Sequence, residues 1–293
     1  MSSLTTPGWT SSPRADIGRR DRRGGARVNM AKYSGIFPVT DYATQVLAVA
    51  DAELRKLRHD PMELLSRAVQ PALWLLLFGQ VMAQVRGLSA GINYLDFLAP
   101  GILAQSVLFV AIFYGIAAIW ERDLGVLHRY LVSPAPRTAL VLGKALSSGA
   151  RGLSQAVVVY GLAFVLGIQV SLEPRHVLGV IAFIALGSAL FCTLSLIVAC
   201  LVKTRERFMG IGQMLTMPIF FASNAIYPIR LMPLWLQAIS RLNPLTYEVD
   251  GLRAFMLRNG VSTIGIGLDF LVLITTFAGL VAIAARVYPR MGE

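Results

Sequence analysis

Charge is scarce in this 293-residue chain: Asp, Glu, Lys and Arg together make up 15% of it, against 55% hydrophobic residues. A soluble domain carries roughly 25% charged residues, so a chain this poor in charge and rich in apolar tracts is read as crossing a bilayer several times. Cysteine is nearly absent. Cys192 and Cys200 lie in one apolar tract, eight residues or about 12 Å of helix rise apart, which excludes a disulfide between them. No G-x-x-x-x-G-K-[ST] segment occurs, so nothing here can cradle ATP phosphates. HExxH and GxSxG are missing too, and His59, His128 and His176 are scattered without metal-ligand spacing, so no catalytic residue and no metal site is assigned. Within the apolar tracts Asp269 is the one clear acid, which argues against a proton relay through hydrocarbon. A membrane-embedded enzyme would need polar side chains clustered at one depth, and no such cluster is evident along the chain.

What the chain does have is organised around apolar tracts. Residues 1–39 are rich in Ser, Gly, Pro and Arg, with Arg19, Arg20, Arg22 and Arg23 clustered. They contain no apolar core for a signal peptide, and read as a disordered basic cytosolic tail, with Met30 an alternative start. Residues 40–293 read as the membrane domain. Within 41–60, Val46, Ala50, Leu54 and Leu57 form one stripe and the charges sit elsewhere, which fits a helix lying in the interface. Six apolar tracts follow, at 68–83, 95–119, 139–168, 177–202, 208–227 and 264–285, each near the length needed to cross. Lys144 and Arg151 interrupt the third, so part of it is expected to project into the cytosol or to line a polar cleft. The segment 228–260 is apolar but broken by Pro228, Pro233 and Asn243-Pro244, which predicts two short helices over 233–242 and 245–257 that dip into the outer leaflet or cap the bundle. Basic residues number 19 on the side of the N-terminus and 6 on the other. The positive-inside rule therefore makes both termini cytosolic. Those basic residues sit at tract ends and not on an aromatic-studded platform, so no nucleic-acid partner is assigned.

Between the second and third tracts stands a charged island, Trp120 to Arg137, WERDLGVLHRYLVSPAPR. Glu121, Arg122 and Asp123 together are expected to stand in water, since each costs about 2.5–3.5 kcal/mol at the bilayer centre on insertion scales. Leu124, Leu127 and Leu131 recur on one helical face, Arg129 lies on another, and Pro134 and Pro136 stop the helix before Arg137. The pattern predicts a short amphipathic helix at the membrane edge, with a plain solvated connector as the alternative.

The order Glu121-Arg122, Gly125, Leu127, Leu131-Val132-Ser133-Pro134 and Arg137, together with ASNAIYPI, LMPLWLQ and NPLTYEVDGLR between residues 222 and 253, closely resembles the permease subunits of type-2 ABC transporters. These are the drug, antibiotic and polysaccharide exporters of the daunorubicin-resistance-like kind. The resemblance covers about residues 41–285. It implies an all-α fold of six transmembrane helices with an N-terminal amphipathic elbow helix, a cytosolic coupling helix, and short re-entrant external helices between spans five and six. It implies a coupling segment made of Glu121, Arg122, Asp123, Leu124, Gly125, Leu127, Arg129, Tyr130, Leu131, Ser133, Pro134 and Arg137. The partners it implies are a separate ABC ATPase subunit, which would hold the ATP and Mg that this chain does not bind, and a second permease, identical or a sister chain, all in a bacterial inner membrane.

A substrate pathway is expected along the fifth tract, where Met209, Gln213, Met217, Phe220, Phe221 and Asn224 mix adaptable apolar and polar groups; ordinary helix packing is the alternative. Pro218 is a candidate kink. Aromatics at 9% favour an amphipathic drug, antibiotic or lipid over a polysaccharide or glycolipid. A membrane-embedded enzyme or a scaffold is the reading from another class.

Overall fold

The structure, a computed structural model, describes residues 69–84, 93–124, 137–202 and 204–287. The proposed tail and interfacial helix, and residues 125–136 of the island, lie outside the described residues. Within them the fold is helical, with one isolated antiparallel bridge between Val170 and Leu257.

Six helices follow the six apolar tracts in order. Helix α1 is Val69–Met82, and its middle, Trp74–Gly79, winds as a π-helix. Helices α2 (Tyr94–Asp123) and α3 (Arg137–Val165) flank the island. Pro174, a residue that opens helices readily because its missing N–H is not needed there, starts α4 (Pro174–Leu201). Thr204 caps α5 (Arg205–Phe221) by accepting from the Arg207 amide. Two short helices come next, α6 (Leu234–Leu242) and α7 (Pro244–Met256), and α8 (Ile266–Val287) ends the described chain. Among these, α2, α4 and α8 are long and apolar enough to cross a membrane. With nine and thirteen residues, α6 and α7 are too short to do so.

Helix α4 is the hub, packed against α2, α3, α7 and α8, while α1 and α5 lie against α2. Small residues allow the close approaches. A side chain at Gly152 would meet Ser188, and one at Gly187 would meet the Glu248 carboxyl. Helix α7 runs antiparallel to α4, with Gly251 under the Phe183 ring and Gly179 under Phe255. It is buried along most of its length, from Leu245 to Met256. Helix α6 shows the reverse, with Leu234, Trp235 and Leu242 exposed.

Two boundaries differ most from the sequence expectation. The second helix continues through Asp123, so Glu121 and Asp123 are part of a helix and not of a loop. The fifth stops at Phe221 and not near Tyr227, because Pro218 withholds one amide and the Ser223 hydroxyl takes the Phe220 carbonyl at 2.7 Å.

Candidate functional site

The end of α2 that leads into the island is tied to two other helices. Glu121 is only 7% exposed, and its Oε2 lies 2.7 Å from Lys144 Nζ on α3. The expectation that all three charges of Glu121, Arg122 and Asp123 stand in water therefore fails at Glu121. Its charge is carried inside by an opposite charge that arrives from the next helix. A buried carboxylate and ammonium are tolerated when they pair closely, and removing one partner costs about 3–5 kcal/mol. Two residues further on, Asp123 Oδ2 accepts from Arg205 Nη2 at 2.9 Å and from Nε at 3.2 Å. Both side chains remain about one-third exposed, so this link is worth only about 0.2–1 kcal/mol. The Arg205 guanidinium lies 3.6 Å from the centroid of the Trp120 ring, which adds a stacking contribution.

Above the ion pair sits Tyr114. Its ring faces Lys144 Nζ at 5.8 Å and the Arg151 guanidinium at 4.6 Å, and its hydroxyl accepts from Ser147 at 3.3 Å. The two charges that interrupted the third tract thus line a polar contact between α2 and α3. Ser195 of α4 donates to the Ile112 carbonyl, which joins the hub helix to the same stretch of α2. Lys144 and Arg205 thus link the island end of α2 to α3 and to α5.

Of the island residues, Leu124 is 70% exposed. Gly125, Leu127, Arg129, Tyr130, Leu131, Ser133 and Pro134 lie outside the described residues, as do the side chains of Arg122 and Arg137. The fifth-tract residues divide. Met209, Gln213 and Phe221 are exposed and Met217 is half-buried. Phe220 is fully buried, edge-on to Trp74 of α1 with centroids 5.6 Å apart. Asn224 is buried beyond the helix end, its carbonyl accepting from Arg253 at 3.0 Å.

Sequence reasoning expected Lys144 and Arg151 to project into the cytosol or line a polar cleft but did not join them to Glu121, and it missed Tyr114 and Arg205 as members of this site. The available signal was an acid at the end of one apolar tract and a lone lysine inside the next. It also missed the polar side chains buried within the bundle, among them Gln105, Ser106, Ser148, Gln155 and Ser188.

The far end of the bundle is held differently. Asp250 on α7 accepts from the hydroxyls of Ser262 and Thr263 at 2.7 and 2.6 Å and from the Ile264 amide at 2.9 Å, just before α8 begins. Arg253 donates to the carbonyls of Asn224 and Phe97. Asn243 caps α7 by accepting from Leu245 and donates to the Ile219 carbonyl at the frayed end of α5. Tyr94 donates to the Ile226 carbonyl.

A bundle of apolar helices, charge-paired where two of them flank a polar segment and closed at the other end by a short buried helix, defines a helical membrane protein. Residues 44–257 match the family model described as ABC-2 type transporter. The chain belongs to that family. It is 30% identical over 233 residues to a putative transport permease, ycf38, of Cyanophora paradoxa, covering 78% of this chain and 79% of that one. It is 27% identical over 200 residues to nodulation protein J of Rhizobium leguminosarum bv. trifolii, covering 68% and 75%. It is 25% identical over 222 residues to the inner membrane transport permease YadH of Escherichia coli K12, covering 74% and 80%. The chain is therefore a transport permease, the non-enzymatic membrane subunit of an ABC transporter, in a family normally paired with an ATPase subunit.

Proposed function

We propose that this permease exports an amphipathic drug, antibiotic or lipid-like substrate, driven by ATP and Mg bound in a separate ATPase subunit. The six apolar helices are its six spans, both termini are cytosolic, and it works as a pair of permeases in a bacterial inner membrane. The segment 124–131 is the helix that docks on the ATPase, and residues 41–60 form the elbow helix. The observation that carries this reading is the double clamp at the end of α2, Glu121 to Lys144 and Asp123 to Arg205. A push on the intervening segment would reach α3 and α5 together, which is what a coupling element requires.

The test is Leu127→Asp in the reconstituted complex. A carboxylate forced into a desolvated contact without a partner costs several kcal/mol, so pull-down of the ATPase subunit or substrate-stimulated efflux should fail. Normal pull-down with normal efflux in a correctly inserted variant would remove the segment from coupling. Orientation is tested separately with single cysteines, in a variant lacking Cys192 and Cys200. Ala135→Cys should react with an impermeant thiol reagent from inside and Leu234→Cys from outside, and the opposite sidedness would overturn the assignment.

A further inference from the structure

A cavity of about 250 Å3 lies between α1, α2 and α3, and none of its lining residues belongs to the island-end clamp. Its walls include Gln70 and Pro71 of α1, Ser106, Phe109 and Phe113 of α2, and Gln155 of α3. Ser106 stands about 18 Å along α2 from its start, and Gln155 about 15 Å before the end of α3. Both residues therefore lie well inside the length of their helices, at a level where hydrocarbon beside the bundle supplies no hydrogen bond.

Gln155 is the unusual member. It is 1% exposed, and neither its amide oxygen nor its nitrogen has a hydrogen-bond partner. An amide left unpaired at that depth is unfavourable unless something fills the cavity and bonds to it. It presents one acceptor and two donors side by side. Nearby, the rings of Phe109 and Phe113 stack with centroids 5.9 Å apart and planes 28° apart, forming an aromatic wall. Ser106 donates to the Ile102 carbonyl at 2.8 Å, which leaves its oxygen able to accept. None of the lining residues is charged. A cavity of about 150 Å3 accommodates benzene, so this one has room for a ring bearing a short polar arm.

We propose that this cavity is a binding site for a neutral, ring-bearing amphiphile. Its apolar body lies on Phe109 and Phe113, and its carbonyl, hydroxyl or amide group bonds to Gln155 and Ser106. The ligand enters from the bilayer, since Val69, Leu73 and Leu77 leave the adjoining face of α1 exposed and apolar. The Phe113 ring also borders Gly212, where an added Cβ would lie 3.6 Å from it. An occupant is thus one ring away from α5. The site goes beyond the export reading and does not depend on it, because occupancy needs neither the ATPase nor transport.

The experiment uses the full-length permease in phosphatidylcholine nanodiscs, photolabelled with 4-azidobenzanilide. Benzanilide and trans-stilbene, which share a shape but differ in the amide, serve as competitors, with concentrations corrected for partition into the bilayer. Labelling should map to α2 between residues 105 and 113 or to α1 near residue 70. Benzanilide should protect at concentrations about tenfold lower than stilbene, the effect of one hydrogen-bonding group. Gln155→Leu and Gln155→Met keep the volume and remove the amide, so both should erase that difference while stilbene still protects. Both should also melt no earlier than the parent, because each removes an orphaned polar group. The proposal is overturned if benzanilide and stilbene compete equally in the parent, if the preference survives both substitutions, or if neither compound protects. The last outcome would leave water as the cavity's only occupant. An uncoupled Leu127→Asp permease should bind benzanilide as the parent does, so loss of transport alone would not count against the site.

Discussion

Glu121 at the island end and Asp250 at the far end are both carboxylates withdrawn from solvent, yet they are held by different means. Glu121 meets the long side chain of Lys144 at 2.7 Å. Asp250 meets short hydroxyls and a backbone amide that lead into α8. The first arrangement joins two helices through flexible arms and allows them to tilt while the pair persists. The second fixes a backbone turn, and its donors cannot follow the carboxylate if α7 moves. The island end is thus held by a link that can follow small helix movements, and the far end by one that cannot.

The comparison can be broken most severely at Glu121. Glu121→Ala should destabilise the permease by about 3–5 kcal/mol by removing the carboxylate that lies 2.7 Å from the buried Lys144 ammonium. Thermal unfolding followed by thiol-dye labelling of the buried Cys192 would measure the loss. The double swap Glu121→Lys with Lys144→Glu should recover part of it, because this ion pair is made by two side chains. Asp250→Ala should cost less, about 2–3 kcal/mol. Here no charge swap can rescue, since one donor is the Ile264 main chain. Rescue of Asp250→Lys by an acid at position 262 or 263 would contradict the distinction. The smallest effect is expected for Arg205→Ala, about 0.5–1 kcal/mol, because the Asp123 pair is partly solvated. That loss should shrink further in 0.5 M salt, whereas the Glu121 effect should not.

Hydropathy and proline spacing made the order of the helices legible, because both act within a few residues. They located α6 and α7 to within one residue at each boundary. The end of α2 was not legible by the same rules. Charges at Glu121 to Asp123 read locally as the start of a loop, whereas Lys144, more than twenty residues later, pairs with Glu121 where it is buried. The fifth tract failed for another reason. On a helical wheel Phe220 falls within about 20° of Met209, yet Met209 is exposed and Phe220 is buried. A wheel averages over the length of a helix, while different neighbours cover its two ends. Phe208 lies against the Gly115 region of α2, and Phe220 against Trp74 of α1. The mid-depth polar residues were each visible as singletons in apolar runs. Gln70, Ser106 and Gln155 become a cluster only when three helices bring them to one level.

The π-helical turn of α1 has a consequence for register. Pro71, Leu75 and Gly79 are all buried, at intervals of four residues. In an α-helix every such interval overshoots a full turn by about 40°, so three positions would spiral off one face. Bonds from i to i+5 wind fewer degrees per residue, and the stretch Trp74–Gly79 cancels the drift where it would otherwise accumulate. Gln70 and Pro71 can then stay on the cavity while Gly79 keeps its close contact with Leu95 and Leu98. In the run WLLLFG the phase of the helix therefore depends on the number of residues more than on their chemistry. Replacing Leu76 or Leu77 with another apolar residue leaves the phase intact, whereas deleting either would rotate the two halves of α1 against each other.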